Sequence, residues 1–151
     1  MWITGEFLFN CIIIKKIVDF FKLKDIVDIM KRIEDINLLY VEDEKFTRML
    51  VKKLLEKESI NVREASNGVL GLKKFYENAP DIIVTDLAMP EMDGFEMISK
   101  IRSSGSEVPI IITTAYREEA EKVCDLVNGC IFKPIIKDDL VKAISEIATK
   151  I

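Results

Sequence analysis

Several polar side chains stand where short apolar runs end. Glu42 and Asp43 follow Leu38–Val41, Asp86 follows Ile82–Thr85, Thr113 and Thr114 close the run that starts at Ile110, and Lys133 follows Cys130–Phe132. In an open α/β sheet, function gathers beyond the carboxyl ends of the strands, near the point where strand order reverses. If each run is a parallel strand, these side chains meet on one edge. Like charges a few ångströms apart repel strongly, and one lysine does not balance three carboxylates. A hard divalent cation does, and Mg²⁺ takes a few oxygen ligands while keeping several waters. A carboxylate left beside such a cation, a lysine and a hydroxyl donor is arranged to receive a phosphoryl group. Alone, an aspartate at a strand end is a helix cap or turn former, and a Lys-Pro pair means little. It is the arrival of all these groups in order, each at a strand end, that carries the reading.

The elements that must position them follow from periodicity. The runs Leu38–Val41, Val62–Ala65, Ile82–Thr85, Ile110–Thr113 and Cys130–Phe132 read as strands. All but the second lack alternation, as strands buried on both faces do. Helical spacing lies between and after them: Phe46, Met49, Leu50, Leu54; Val69, Leu72, Phe75, Tyr76; Phe95, Ile98, Ile101; Ala120, Val123, Cys124, Val127; and Leu140, Ile144, Ile147, Ile151. Gly105 and Gly129 sit where left-handed helix caps are expected. Serial β–α units predict a parallel sheet covered by helices on both faces. The sequence closes with the fifth helix, so any output is expected to act through a partner.

Bulk properties bound the function. The 151 residues suffice for one domain with a real core. A formal net charge of −4 offers no basic stripe, which argues against direct nucleic-acid binding. Cys11, Cys124 and Cys130 show neither metal nor disulfide spacing; each reads as a small buried hydrophobe in a reducing cytoplasm. Histidine is absent, which excludes a His-based triad, a His-ligated zinc site and a phosphohistidine carrier within the chain.

Ahead of the regular pattern, residues 1–36 read as an amino-terminal extension. Phe7–Ile14 is far shorter than the roughly 20 residues of a membrane span, so no transmembrane segment is expected. Its lysines, Lys15 and Lys16, follow the apolar run and no small-residue cleavage site appears, unlike a signal peptide. From Ile17 to Ile36 the pattern is amphipathic, with Ile26, Ile29, Met30 and Ile33 at helical spacing. Three readings stand: sequence upstream of a natural start at Met30, a helix packing on the domain or on a second copy, or an interfacial membrane anchor.

From Asn37 to Ile151 the chain resembles a response-regulator receiver domain of two-component signalling, of the chemotaxis-type stand-alone kind. The motifs are LLYVEDE, IVTDLAMPEMDGFE, IITTAY and CIFKPI, in family order. The resemblance implies a flavodoxin-like, doubly wound (βα)5 fold with a five-stranded parallel sheet in the order 2-1-3-4-5. It implies Asp86 as phosphoacceptor, Thr114 as switch hydroxyl and Lys133 as the lysine bridging acceptor and phosphoryl oxygens. Mg²⁺ would be held by Asp43 and Asp86, by Glu42 through water and by the carbonyl of Ala88. Pro134 falls where the family has a cis proline, and Pro90 and Gly94 shape the loop after the acceptor. The implied donor is a histidine kinase or phosphotransfer protein. The target is an unnamed protein, with phosphorylation-dependent dimerisation among the outcomes.

One position departs from the pattern. The family usually has Tyr or Phe three residues before the lysine, and here stands Cys130. Tyr116 is the alternative ring. Ala88 and Tyr116 flank the expected path of an attacking water, which predicts slow self-dephosphorylation.

Two other functions compete with this reading. Haloacid-dehalogenase-type phosphatases place a second aspartate two residues after the first as general acid, and that position is Ala88. The chain is therefore expected not to be an enzyme beyond its own phosphorylation and dephosphorylation. A phosphorylation-independent interaction module usually lacks an acidic ligand, the acceptor or the lysine, and all are present here.

Overall fold

The computed structural model describes residues 22–23 and 35–151. Lys22 and Leu23 are helical; the rest of the amphipathic stretch up to Glu34, the apolar run and Cys11 lie outside the described residues. The elements are β1 (Asn37–Val41), α1 (Lys45–Glu56), β2 (Asn61–Ala65), α2 (Gly68–Glu77), β3 (Ile82–Asp86) and α3 (Gly94–Ser103). Then come β4 (Ile110–Thr114), α4 (Arg117–Glu121), a 3₁₀ turn (Cys124–Leu126), β5 (Gly129–Phe132) and α5 (Lys137–Ala148). The strands form one parallel sheet in the order β2-β1-β3-β4-β5, the expected flavodoxin-like arrangement. Among the described residues, no helix is long and apolar enough to cross a membrane.

Strand alternation sends side chains to two cores. Leu38, Tyr40, Ile82, Val84 and Ile111 pack with Val51 and Leu55 of α1 and Leu140 and Ile144 of α5. Leu39, Val41, Ile83, Ile110 and Ile112 pack with Phe75 of α2 and Met97, Ile98 and Ile101 of α3. Because β1, β3 and β4 are covered on both faces, they read as unbroken apolar runs. Ile36, just before β1, already belongs to the first core.

Several expectations are corrected. In α1 the expected stripe is mostly outside: Phe46, Met49 and Leu50 are exposed, while Val51 and Leu55 are buried. The helix is apolar on more than one face, and a tertiary contact chooses between them. Arg48 Nη1 donates to the carbonyls of Glu42 (2.7 Å) and Asp43 (3.1 Å), turning the 48–51–55 stripe toward the sheet. In α2, Val69 and Tyr76 are exposed and Phe75 is buried; the inner face is completed by Gly68 and Gly71. A Cβ on Gly71 would lie 2.7 Å from Met97 Sδ, so the glycine lets α2 sit close on α3.

The region after β4 departs most. A full helix through Val127 is expected, but α4 ends at Glu121 and a 3₁₀ turn follows. Its N-cap, Tyr116, makes no side-chain cap bond, and so short a helix has little to offset the cost of nucleation. With so little helix above it, β5 alternates instead of being buried throughout: Ile131 is inside, while Cys130 and Phe132 are exposed. Cys124 and Cys130 are free, exposed thiols and not buried hydrophobes. Gly129 begins β5 and caps nothing, whereas Gly105 takes the expected left-handed conformation at φ +82°. In α5, Leu140, Ile144 and Ile147 are buried as expected; Ile151 lies past the helix end and is exposed.

Candidate functional site

The carboxyl edge of the sheet is assembled strand by strand. Beyond β1, the Glu42 N–H donates to the Ala65 carbonyl (3.1 Å), extending the ladder by one residue. This seats the Glu42 carboxylate at 1 % exposure. Glu42 Oε1 accepts from the Glu44 N–H (3.3 Å), and Oε2 accepts from the Tyr40 hydroxyl (3.4 Å) and Lys133 Nζ (3.1 Å). Asp43, next in the chain, is exposed. Glu44 caps α1, accepting from the Phe46 and Thr47 N–H groups, as a carboxylate at a helix start does well.

At the end of β3, Asp86 is 5 % exposed. Its Oδ1 accepts from the Leu87 N–H (2.7 Å) and, more weakly, the Ala88 N–H (3.4 Å); its Oδ2 accepts from Lys133 Nζ (2.6 Å). The backbone beneath is held tightly. The Gly94 N–H donates to the Leu87 carbonyl (2.9 Å), and a Cβ on Gly94 would lie 2.3 Å from the Asp86 carbonyl oxygen. Only glycine lets the start of α3 approach the acidic residue's backbone this closely. Glu91, in the intervening loop, has φ +68°.

From the other side, the Lys133 N–H donates to the Thr114 carbonyl (2.8 Å), tying the end of β5 to the end of β4. The Lys133–Pro134 bond is cis, as the resemblance led us to expect. Thr113 pairs with Asp86 across the sheet, so Thr114 stands one residue beyond it. Thr114 is 1 % exposed. Its hydroxyl donates to Glu119 Oε2 (2.5 Å) and accepts from the Tyr116 N–H (3.1 Å). The Tyr116 ring itself is at the surface.

Glu42, Asp43, Asp86 and Lys133 are thus brought together, while Thr114 shares the edge with its hydroxyl turned to α4. Carboxylate oxygens of Glu42, Asp43 and Asp86 lie within 4.8 Å of one another. Burial, then the charge of Asp86, raises the Glu42 carboxyl above its usual range, and the opposing pull of Lys133 does not cancel this. Burial also disfavours the Lys133 ammonium, but the Asp86 hydrogen bond and charge, with Glu42 behind them, prevail and raise its pKa. Burial beside Glu42 raises the Tyr40 phenol, leaving it a neutral donor. The unbalanced acidic set, made of hard oxygens alone, fits a divalent cation such as Mg²⁺.

Two participants escaped the sequence reading. Tyr40 lies two residues before Glu42 on one strand face, so the period of two could have found it. Glu119 lies across a loop-to-helix junction from Thr114, where no fixed spacing applies.

Comparison with known proteins agrees with this geometry. Residues 38–145 match the response regulator receiver domain family. The chemotaxis protein CheY of Bacillus subtilis is 32 % identical, over 72 % of this chain and 94 % of that protein. The sensor protein EvgS of Escherichia coli K12 is 35 % identical over 76 % of this chain, which spans only 10 % of that longer relative. The chemotaxis response regulator CheY4 of Vibrio cholerae superimposes with a TM-score of 0.69 at 26 % identity, over 74 % of this chain and 98 % of that one. With this fold, this strand-end acidic site and these relatives, the chain belongs to the response regulator receiver domain family of two-component signalling.

Proposed function

We propose that Asp86 accepts a phosphoryl group from a phosphohistidine of a histidine kinase or phosphotransfer protein, and that the modified domain switches a partner-binding surface. The observation that carries this is Lys133 Nζ lying 2.6 Å from Asp86 Oδ2 and 3.1 Å from Glu42 Oε2, inside a cluster with a third carboxylate. A buried aspartate needs no such surroundings to cap a loop. The surroundings suit a carboxylate that attacks phosphorus.

In the transfer, the Asp86 oxygen forms a bond to phosphorus as the P–N bond breaks, and the imidazole leaves with that electron pair. The Leu87 N–H and Lys133 orient the carboxylate before attack. Lys133 then faces the transferred oxygens, and the Thr114 hydroxyl turns to donate to one of them. Glu42, Asp43, Asp86 and the Ala88 carbonyl would hold Mg²⁺, which when bound offsets the charge of the phosphoryl oxygens. The acyl phosphate adds roughly 1.5 to 2 negative charges. Moving a switch from mostly off to mostly on needs about 5.5 kcal/mol of differential stabilisation. A new anion held by cation, lysine and hydroxyl supplies interactions of that order.

The domain is read as a phosphoacceptor acting on itself, in the cytoplasm, without turnover of external phosphoesters. Incubation with acetyl phosphate and Mg²⁺, followed by intact mass, tests this. The expected result is one added phosphoryl group in the wild type and none in Asp86→Asn. An unmodified wild type would leave a phosphorylation-independent interaction module as the better reading.

A further inference from the structure

We propose that Glu119 is a positioning residue that holds Thr114 off by taking the single proton its hydroxyl can give. The proposal rests on Asp86 being the phosphoacceptor. A threonine hydroxyl has one O–H donor and two acceptor positions. Here the donor is spent on Glu119 Oε2 at 2.5 Å, and the Tyr116 N–H fills one acceptor position at 3.1 Å. The Tyr116 carbonyl, at 3.4 Å, is the weaker alternative acceptor. Among the described residues, the hydrogen bonds that reach the Asp86 carboxylate come from Lys133, Leu87 and Ala88, none from Thr114.

Phosphorylation therefore sets up a competition. A phosphoryl oxygen on Asp86 and the Glu119 carboxylate are both anionic acceptors, and Thr114 has one proton to offer. It cannot serve both, so the active arrangement requires the Thr114–Glu119 bond to break. Hydrogen bonds to charged groups are among the stronger ones, and Thr114 is almost wholly buried, with little water to replace the lost partner. A state populated only when that bond opens lowers the apparent affinity for phosphoryl by its fractional population.

Release also has a structural outlet. Glu119 sits in the middle of α4, a helix of five residues without a side-chain cap. Arg117, Ala120 and Glu121 of that helix line a groove of about 350 Å³ together with Cys130 and Phe132 of β5. Freeing Glu119 thus loosens the wall of a surface groove, in a chain whose usual aromatic switch position holds Cys130.

The test is the rate of phosphorylation of the full chain by acetyl phosphate with Mg²⁺, read by intact mass in four variants: Glu119→Ala, Glu119→Gln, Thr114→Ala and the Thr114→Ala/Glu119→Ala double. Glu119→Ala is expected to react on the order of tenfold faster than wild type. Glu119→Gln should fall between, because its neutral amide oxygen still accepts a hydrogen bond. In the Thr114→Ala background, Glu119→Ala should change the rate less than about twofold, since the partner is gone. Equal acceleration in both backgrounds, or none with Thr114 present, would overturn the latch. A wild type that gains no phosphoryl group overturns the reading of Asp86 beneath it, which separates the two failures.

Discussion

The edge where β1 and β3 end and the flank formed by α4 and β5 are built to different tolerances. At the edge, the two buried carboxylates are each held from more than one side: Glu42 by Tyr40, Glu44 and Lys133, and Asp86 by Lys133 and the Leu87 and Ala88 N–H groups. At the flank, a five-residue helix and a 3₁₀ turn leave Cys124, Cys130, Leu126 and Phe132 exposed, and the Arg117 guanidinium lies 4.9 Å from the Phe132 ring centre in place of a deeper contact. The difference separates what chemistry demands from what signalling permits. In the proposed function, acceptor, lysine and acidic partners must stand within about 0.5 Å of productive positions. The proposed partner surface need only change shape.

The largest effect expected from this contrast is at the edge. Lys133→Ala removes a cation that touches two carboxylates, and should slow phosphorylation of Asp86 by about 10²-fold or more, as the loss of a preorganised donor does. An effect below threefold, measured with acetyl phosphate at saturating Mg²⁺, would place the lysine outside the reaction. Next comes Gly94→Ala. Its Cβ would press on the Asp86 carbonyl oxygen at 2.3 Å, and backbone cannot rotate away as a side chain can. A loss of about 3 kcal/mol in urea unfolding is expected, with phosphorylation impaired in the fraction that folds.

Metal binding sharpens the same comparison through pH. The Glu42 carboxyl is raised by burial and by Asp86, so between its ordinary and raised values the folded state holds a proton the unfolded state has lost. Metal-free stability therefore falls as pH rises through that interval. Mg²⁺ needs the deprotonated form, so its contribution should grow over the same interval. At about 100 times its Kd it would add about 2.7 kcal/mol. Melting curves with and without Mg²⁺, followed upward in pH from the ordinary carboxylate range, should diverge; a constant gap would detach Glu42 from the metal.

The exposed positions of the flank should give the small numbers. Cys130→Ala, at an exposed edge-strand position, is expected to change stability by less than about 0.5 kcal/mol, while Ile131→Ala beside it, buried in the first core, should cost about 2 to 5 kcal/mol. Asn at position 88 combined with Glu at position 116 should shorten the phosphoryl half-life several-fold, because Ala88 cannot hydrogen-bond an attacking water; an unchanged half-life would remove both residues from its path.

Legibility in the sequence follows the same division. The sheet was readable because doubly covered strands produce uninterrupted runs such as Ile82–Thr85, and a strand end fixes where the next polar residue must project. Hence Glu42, Asp43, Asp86, Thr114 and Lys133 could be placed on one edge from order alone. The inward face of α1 was not readable, since Phe46, Met49 and Leu50 make as good a stripe as Val51 and Leu55, and the choice lies with Arg48 reaching the Glu42 carbonyl. Nor was the length of α4, because Ala120, Val123, Cys124 and Val127 satisfy helical spacing without stating whether a helix continues through them. Gly71 was invisible for the opposite reason: a pattern of large apolar residues passes over a buried face made of glycine.

The central claim is that residue 86 is where phosphorus is bound. Borohydride reduction of the protein after treatment with acetyl phosphate and Mg²⁺ converts an aspartyl phosphate to homoserine, and peptide mass spectrometry locates it. Homoserine at position 86 in the wild type, and nowhere in Asp86→Asn, is the predicted result; homoserine at another aspartate, or at none, contradicts the account.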